Sequence, residues 1–445
     1  MALTGLEIFK HLPKTNCGEC GFPTCLAFAM QLAAKKAALD KCPYVSDEAK
    51  SALDAAAAPP IRLITVGVKK PFQTGNETVM FRHEETFHRP TGIAVTVSDA
   101  APEDEIAARA GRIAGLSFER VGMQIGVNLT AVRNDSGDPA KFAAAVKKVM
   151  EVSQLPIVLT AGDPAAMERA LEVCKEDKPL IHGATAATLD AMCALAKASS
   201  CPLTVSGGSL DDLAALARDA AAKGVQDVVL DPGPRGMNEL LRDVTQSRRL
   251  ALKKNYRPLG YPFIITAAES DPVMEMVEVG VFIAKYGGIV VTNAIEKWQM
   301  LPLLTLRQNV FTDPRKPIMV EPKLNKVGEP GRDAPVLVTT NFSLTYFVVE
   351  GEVEASKVPS YLISVDTEGL SVLTAWAAEK FTPESIKKAL ESSGVSDLVD
   401  HKKFVIPGYV AVMSGELEEE TGREVLVGPR EASGISTYLK TVWKA

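Results

Sequence analysis

"CPLTVSGGSLDDLAALARDAAAKGVQDVVLD", residues 201–231, contains one complete strand–helix–strand unit. Its apolar runs at 201–206 and 225–231 predict two strands, and the amphipathic stretch at 210–223 predicts the helix that joins them. Near-continuous apolar strands joined by a helix are typical of a parallel sheet covered on both faces. This stretch therefore predicts an α/β fold.

The same unit recurs on both sides of this stretch. Eight strand candidates lie at 92–98, 118–123, 156–160, 179–183, 201–206, 225–231, 262–267 and 287–293. Eight such units match the size of a (β/α)8 barrel. We therefore predict a central TIM barrel over residues 92–325, preceded by a linker over 58–91 that follows the Ala/Pro-rich stretch at 51–61.

Polar residues and glycines follow most of the barrel strands, at the end where barrel enzymes place their chemistry. They are Ser98, Asp99, Thr160, Gly183, Ser206, Gly207, Asp231, Gly233 and Asn293. Two interpretations stay open: Asp231 and Asn293 bind a pterin or another heterocycle, or these residues cap the helices that follow. His182 is interpreted as a hydrogen-bonded core residue. The sequence predicts no catalytic residue.

A second signal is "NCGECGFPTC" at 16–25, which is completed by Cys42 and Pro43. The four thiols at Cys17, Cys20, Cys25 and Cys42 suit either zinc or an iron–sulfur cluster. Three cysteines in one loop and a fourth beyond a helical stretch favour a [4Fe-4S] cluster, with structural zinc as the alternative. We predict a cluster domain over residues 1–57, in which these four cysteines are the metal ligands. Cys174, Cys193 and Cys201 are interpreted as buried hydrophobic residues.

A Pro/Gly-rich and charged stretch at 313–334 separates the barrel from a second α/β region, predicted over 326–445. Strand candidates at 335–341, 360–366, 403–408 and 423–428 predict a small doubly wound, Rossmann-like sheet. Ligands of such sheets bind beyond the carboxyl ends of the strands, where the loops here are rich in Gly, Ser and Thr. The dinucleotide pattern G-x-G-x-x-G is absent, so NAD is not predicted.

The composition limits the classes of function. Of 445 residues, 46% are hydrophobic and 23% charged, and no apolar run approaches the roughly 20 residues of a membrane span. The net charge of -6 and the lack of a long Lys/Arg block give no reason to expect nucleic acid as a partner. The N-terminus lacks the features of an export signal. We predict a soluble, cytoplasmic protein with no nucleic-acid or membrane partner.

The cysteine motif, the barrel and the Gly/Ser/Thr-rich terminal domain, in this order, resemble the large (gamma) subunits of the corrinoid iron–sulfur proteins of the acetyl-CoA (Wood–Ljungdahl) pathway. This resemblance implies a methyl carrier in one-carbon metabolism and carbon fixation rather than a stand-alone catalyst. Such a carrier accepts a methyl group on cobalt from methyltetrahydrofolate, through a methyltransferase, and delivers it to acetyl-CoA synthase. The cluster would serve the reductive reactivation of Co(II) to Co(I).

The resemblance also implies cofactors and partners. The cofactors are a [4Fe-4S] cluster and a cobamide bound base-off without a protein ligand beneath cobalt, and no histidine here belongs to the D-x-H-x-x-G motif that would supply one. The partners are the small subunit in a heterodimer, the methyltetrahydrofolate methyltransferase, acetyl-CoA synthase, and a low-potential electron donor or reductive activator.

By the same resemblance, the cobamide contacts are predicted to lie in the loops that follow the strands of the terminal domain. The segment under the corrin is predicted to be Gly369, Leu370, Ser371, Val372, Leu373 and Thr374, with Thr374 nearest cobalt. The remaining predicted cofactor-binding residues are Thr340, Thr345, Tyr346, Gly408, Gly428, Pro429, Arg430, Ala432, Ser433, Gly434 and Ile435.

Two other functions stay open on the sequence. In the first, the barrel is itself a pterin-dependent methyltransferase and the terminal domain is its cofactor module. In the second, the chain is an electron-transfer subunit that holds the cluster and a flavin instead of a corrinoid.

Overall fold

A computed structural model describes residues 5–33, 36–37, 39–46, 49–50, 53, 59–121, 123–313 and 317–444. Of the Ala/Pro-rich stretch at 51–61, residues 51–58 lie outside the described residues, with the exception of Leu53. Within the described part of the chain, no helix is both long and apolar enough to cross a membrane.

The N-terminal region is a small helical unit. It contains α1 (Gly5–His11), α2 (Cys25–Ala33) and a 3-10 turn at Leu39–Lys41. Ile8 and Phe28 are buried in a cluster that also contains Cys25 and Cys42. A Cβ at Gly5 would stand 2.4 Å from the Met30 sulfur, so this glycine lets the two helices approach closely. The unit brings the third and fourth predicted ligand cysteines to one small core.

The central region is a closed barrel of eight parallel strands, which confirms the predicted TIM barrel. Its elements, in chain order, are β1 (Ile64–Val66), β2 (Phe72–Thr74), β3 (Gly92–Ser98), α3 (Glu103–Ala114), β4 (Ser117–Arg120), β5 (Met123–Gly126), β6 (Leu129–Arg133), α4 (Pro139–Val152), β7 (Ile157–Thr160), α5 (Pro164–Cys174), β8 (Leu180–Ala184), α6 (Leu189–Ser199), β9 (Leu203–Ser206), α7 (Leu210–Ala222), β10 (Val228–Asp231), α8 (Met237–Lys254), β11 (Phe263–Thr266), α9 (Pro272–Ala284), β12 (Gly287–Thr292) and α10 (Lys297–Phe311). The eight barrel strands among these elements are β3 and β6 to β12. The barrel closes between β12 and β3, which pair in parallel.

The hairpin β1–β2 is part of the barrel's core rather than a free connection. Ile64, Val66 and Phe72 are buried in one cluster with Ala94 and Leu129 of the barrel strands. A Cβ at Gly92 would stand 2.5 Å from the Phe72 ring, which shows how closely the hairpin covers the start of β3. The residues predicted as a linker over 58–91 therefore include a segment that closes the amino-terminal end of the barrel.

The prediction that residues 118–123 form a barrel strand is wrong. Residues 117–126 form the antiparallel hairpin β4–β5 instead, and the second barrel strand is β6. Position 122 itself lies outside the described residues. The charged Glu119 and Arg120 suit the solvated hairpin, whereas Leu129, Thr130 and Ala131 are fully buried between neighbouring strands.

The terminal region is a five-stranded sheet in the order β13-β15-β14-β16-β17. Its elements are β13 (Leu324–Val327), β14 (Val336–Thr340), α11 (Ser343–Ser356), β15 (Ser360–Val365), α12 (Val372–Ala377), α13 (Pro383–Ser392), β16 (Lys403–Ile406), a 3-10 stretch at Gly408–Met413, α14 (Ser414–Thr421), β17 (Glu424–Val427), a 3-10 turn at Ala432–Gly434 and α15 (Ile435–Thr441). The four predicted strands are β14 to β17, and they run parallel. The added edge strand β13 runs antiparallel and begins before the predicted domain boundary at 326.

Candidate functional site

The cysteine loop is shaped by left-handed backbone and one side-chain hydrogen bond. Gly18 and Gly21 have φ of 77° and 84°, which allows the chain to curl between the first two cysteines and the third. The Cys25 amide donates to the Asn16 side-chain oxygen at 2.8 Å. Cys17 is exposed, Cys20 is half-buried, and Cys25 and Cys42 are buried. The four thiols thus range from exposed at Cys17 to buried at Cys25 and Cys42.

A further contact ties the loop to the last cysteine. The Tyr44 hydroxyl donates to the Glu19 carboxylate at 2.8 Å, across the 25 residues that separate them. Among the described residues, no three His, Cys, Asp or Glu side chains converge tightly enough to hold one metal ion. The four thiols suit either a cluster, in which each thiolate binds its own iron atom, or zinc, which takes all four ligands on a single ion.

The terminal domain contains a partly open cavity at the carboxyl ends of β14 and β16, with about 630 Å³ of space when its solvent-open mouth is included. Its walls are mostly apolar, with Arg430 and two tyrosines at the loops and α15. The lining residues are Leu337, Val338, Thr339, Thr345, Val349, Val372, Val405, Ile406, Pro407, Tyr409, Gly428, Pro429, Arg430, Ala432, Ile435 and Tyr438. A deep apolar slot with few polar groups is suited to a flat aromatic group.

Two buried hydroxyls at the end of β14 have no hydrogen-bond partner within the described structure. They belong to Thr339 and Thr340, which are 1% and 0% exposed. Buried polar groups in folded proteins are nearly always hydrogen-bonded, so these hydroxyls mark a place where a ligand can satisfy them. Only Thr339 lines the cavity.

Asn341 organises the loop that leads to the predicted corrin segment. Its side-chain oxygen accepts hydrogen bonds from the Thr367 amide, the Thr367 hydroxyl and the Gly369 amide at 2.9–3.0 Å. Its side-chain nitrogen donates to Asp366 at 3.2 Å. Asn341 was not predicted as a site residue, because an asparagine after a strand gives no sign in the sequence of which loop it will bind. This residue fixes the loop before any ligand is present.

The predicted corrin segment begins in this loop and continues into α12. Gly369 has φ of 73°, and the hydroxyls of Ser371 and Thr374 lie 3.0 Å apart. Large apolar side chains are exposed on α12 and on the facing 3-10 stretch: Leu373 at 47%, Trp376 at 43%, Tyr409 at 44% and Val412 at 75%. Such an exposed apolar surface at a strand end is a seat for a large, flat ligand.

The structure brings together only part of the predicted cobamide set. Seven of its residues line the cavity: Thr345, Val372, Gly428, Pro429, Arg430, Ala432 and Ile435. Tyr346 does not: its ring is buried in a cluster that also contains Val353, and its hydroxyl donates to Glu350 at 2.9 Å. Ser433 is exposed outside the lining.

Gly408 has a structural reason to be glycine. A Cβ at Gly408 would stand 2.5 Å from the Gly428 carbonyl oxygen, so the two predicted loops pack directly against each other. Gly408 therefore lets these two loops pack closely where they border the cavity.

No histidine stands at this end of the terminal sheet. His401 is the single histidine of residues 317–444, and its ring bonds to the Ala334 carbonyl oxygen at 3.0 Å, before the first residues of β14 and β16. It therefore lies at the opposite edge from the cavity.

At the mouth of the barrel, polar side chains satisfy one another. His182 contacts the Asp231 carboxylate at 3.0 Å, and Ser206 donates to the same oxygen at 2.7 Å. Burial alone would raise the pKa of Asp231, but the hydrogen bond and charge of His182 lower it below its usual value. The predicted core role of His182 agrees with these contacts. Asn293 likewise accepts from Thr96 at 2.6 Å.

Comparisons with known proteins give the chain's relatives. Residues 64–439 match the family described as CO dehydrogenase/acetyl-CoA synthase delta subunit, and residues 12–44 match a putative Fe-S cluster family. The chain is 50% identical to the corrinoid/iron-sulfur protein large subunit of Moorella thermoacetica, over 99% of both chains. It is 36% identical to the acetyl-CoA decarbonylase/synthase complex subunit gamma of Methanothermobacter thermautotrophicus, again over 99% of both.

A solved dihydropteroate synthase from Thermus thermophilus aligns with 56% of this chain and 99% of its own, at 14% identity and a TM-score of 0.38.

Proposed function

Because this chain belongs to the family of corrinoid/iron-sulfur protein large subunits, we propose that it carries a methyl group on a cobamide held by its terminal domain. The methyl donor is methyltetrahydrofolate, acting through a methyltransferase, and the acceptor is acetyl-CoA synthase. The single observation that carries the proposal is the apolar cavity beside an exposed apolar surface at the carboxyl ends of the terminal strands.

The residues of the terminal domain fit a cobamide in two parts. The slot lined by Val338, Val405 and Ile435 takes the planar base of the nucleotide tail, and the partnerless Thr339 hydroxyl donates to a ring nitrogen of that base. The surface of Leu373, Trp376, Tyr409 and Val412 supports the macrocycle. When bound, the cobamide supplies a cobalt centre that is strongly nucleophilic in its reduced state.

The polypeptide leaves the face beneath the macrocycle without a strong ligand. Ser371 and Thr374 offer hydroxyls there, and His401 lies at the other edge of the sheet. The slot would hold the base of the nucleotide tail away from the metal, so the cobamide is proposed to bind base-off. A metal without a strong lower ligand is easier to reduce, which suits a carrier that must be returned to its reactive state.

The N-terminal unit is proposed to supply the electron that returns the carrier to its reduced, reactive state. Cys17, Cys20, Cys25 and Cys42 are proposed as ligands of a [4Fe-4S] cluster, in the loop held by Asn16. Their thiols belong to the part of the chain that matches the Fe-S family. The chain is proposed to act in the cytoplasm as a heterodimer with the small subunit, and to receive electrons from a low-potential donor or reductive activator.

The proposal is tested on the heterodimer purified without oxygen. We expect both iron and cobalt, and methyl transfer from methyltetrahydrofolate when the methyltransferase is added. The variant Cys20→Ser should lose the electron paramagnetic resonance signal of the cluster and the reduction of Co(II), yet transfer methyl groups normally when it is chemically prereduced.

The matched control is Cys193→Ser, which changes a buried thiol of α6 in the barrel. It should retain both the cluster signal and the reduction of Co(II). Wild-type heterodimer that contains iron but neither holds nor takes up cobamide would overturn the proposal.

A further inference from the structure

The polar residues at the barrel's strand ends are not the residues that cap its helices. The side-chain caps of α4, α5, α7 and α9 come from Asp138, Asp163, Ser209 and Asp271, further along each loop. The helices that follow Asp231 and Asn293 have Gly236 and Glu296 at their N-cap positions, so the interpretation of Asp231 and Asn293 as helix caps is wrong. Helix capping does not account for the polar character of this end of the barrel, which is the end where barrel enzymes bind their ligands.

An open cavity of about 1080 Å³ lies at one side of the mouth, where β3 meets β6 and β12. Its lining contains three arginines and two carboxylates. The charged and polar members are Thr96, Ser98, Glu105, Arg109, Arg112, Arg133, Asp135 and Asn293. Arg112 pairs with Glu296 at 2.7 Å, and Arg133 pairs with Asp135 at 2.7 Å. Arg109 is the lining arginine for which the described residues provide no ion pair.

Arg109 is held firmly at the seam where the first and last barrel strands meet. Its Nε donates to the Thr96 carbonyl oxygen at 2.6 Å, and its Nη2 donates to the Asn293 carbonyl oxygen at 3.0 Å. Two carbonyl oxygens orient the guanidinium but do not neutralise its charge. A guanidinium has five N–H donors, so three remain for a ligand in the cavity.

The surroundings of Arg109 disfavour its charge in the absence of a ligand. Burial and the neighbouring Arg112 lower the pKa of Arg109, against the weaker opposing influence of Glu275 and Glu296. An anion in the cavity would relieve this penalty, because it supplies the missing opposite charge beside a fixed donor.

We propose that the cavity at the barrel mouth binds a small oxyanion, a phosphate or carboxylate group of a metabolite, with Arg109 as its principal anchor. Arg133 and the Ser98 hydroxyl lie on the same lining and complete the set of donors. The network of His182, Asp231 and Ser206 lies at the ends of β8 to β10, across the ring of strands from β3, and is already satisfied within the protein, so it is not part of the anion site.

The test is a titration of the purified heterodimer with inorganic phosphate and, separately, with glutarate, at constant ionic strength, followed by calorimetry. We expect saturable binding of one ion per chain, and the tighter of the two probes identifies the ligand group. Arg109→Gln should weaken that binding at least about ten-fold, the loss expected for one charge-assisted bidentate contact. Arg218→Gln is the matched control, because Arg218 also donates to a backbone carbonyl oxygen, at 3.2 Å, but lies outside the cavity.

Arg109→Gln removes two hydrogen bonds at the barrel seam and could unfold the barrel, so Arg133→Gln serves as a second variant. Arg133 lies on the cavity lining in an exposed ion pair, and its loss should weaken binding about three-fold or more. No saturable binding of either probe to the wild type, or equal binding by folded Arg109→Gln, would overturn the inference. Neither result touches the methyl-carrier proposal, because the assay involves neither the cobamide nor the cluster.

Discussion

Two rims of this molecule are formed by the carboxyl ends of parallel strands, and they differ in how their polar groups are satisfied. At the barrel mouth, three donors from His182, Ser206 and Gly233 converge on the Asp231 carboxylate. At the rim of the terminal sheet, the hydroxyls of Thr339 and Thr340 have no partner in the described structure. Around Asp231 the barrel rim is thus closed, although the cavity at Arg109 lies on the other side of the same rim, whereas the terminal rim is left open and is the better candidate for a large cofactor.

The largest effect is expected from breaking the closed rim. Asp231→Asn places an amide nitrogen against at least one of the three donors that face the carboxylate. It also removes the negative charge beside His182. Breaking a buried pair of this kind should lower the free energy of unfolding by about 3 kcal/mol. Trp298 in α10 can report barrel unfolding by urea when Trp376 and Trp443 are replaced by phenylalanine.

The stability difference between the wild type and the same variant should depend on pH. The pKa of Asp231 is lowered in the folded state, so the carboxylate contributes stability that is full above its unfolded pKa, near about 4. That contribution is lost as the pH falls through the lower folded pKa. The stability difference between wild type and Asp231→Asn should therefore be constant from pH 7 to pH 5 and shrink below about pH 4. Asp227→Asn, in an exposed pair with Arg62, should leave barrel stability nearly unchanged at all of these pH values.

A smaller effect is expected from Asn341→Ala at the open rim. The variant leaves the buried amides of Thr367 and Gly369 without an acceptor, which should destabilise the terminal domain by about 2 kcal/mol. Because the freed loop carries the segment under the proposed corrin, cobamide affinity should fall as well. Urea unfolding followed by Trp443 fluorescence and cobamide titration measure the two effects. Asn325→Ala is the control and should change neither, because within the described part of the chain the Asn325 side chain donates only to the Lys323 carbonyl oxygen.

The sequence predicted what depends on local pattern. The barrel strands and the four parallel strands of the terminal sheet were recognisable because their apolar runs, such as 201–206 and 360–366, are long and uninterrupted. The hairpin at 117–126 was mistaken for a barrel strand because a partly exposed strand has the same residue types as a short barrel strand. Its antiparallel partner follows at once in the chain, yet no turn motif announces it.

The site was less predictable than the fold. Loop residues such as Pro429 and Arg430 were found, because glycine and proline mark loops at strand ends. The strand residues Leu337, Val338 and Val405 were missed, although they form the floor of the cavity. In sequence they are indistinguishable from core residues, and only the spacing between the sheet and its covering helices leaves them facing a void. Asn341 was missed for the related reason that its partners lie 26 and 28 residues away.

The smallest effect on stability, and the sharpest test of the open rim, is expected from Thr339→Val. Removing a buried hydroxyl that has no partner should change the free energy of unfolding by less than about 1 kcal/mol, with a gain in stability as the expected direction. Cobamide binding should nevertheless weaken about ten-fold, because the hydroxyl is proposed to donate to the base in the slot. Quenching of Trp376, which is 43% exposed on the proposed macrocycle surface, follows the binding.

Thr340→Val is the matched control for this prediction. Its hydroxyl is equally buried and equally without a partner in the described structure, but Thr340 is not on the cavity lining. Thr340→Val should therefore bind cobamide as the wild type does. If the two variants weaken binding equally, the hydroxyls act through the end of β14 rather than through the cavity. If neither variant weakens it, Thr339 is not the donor to the base.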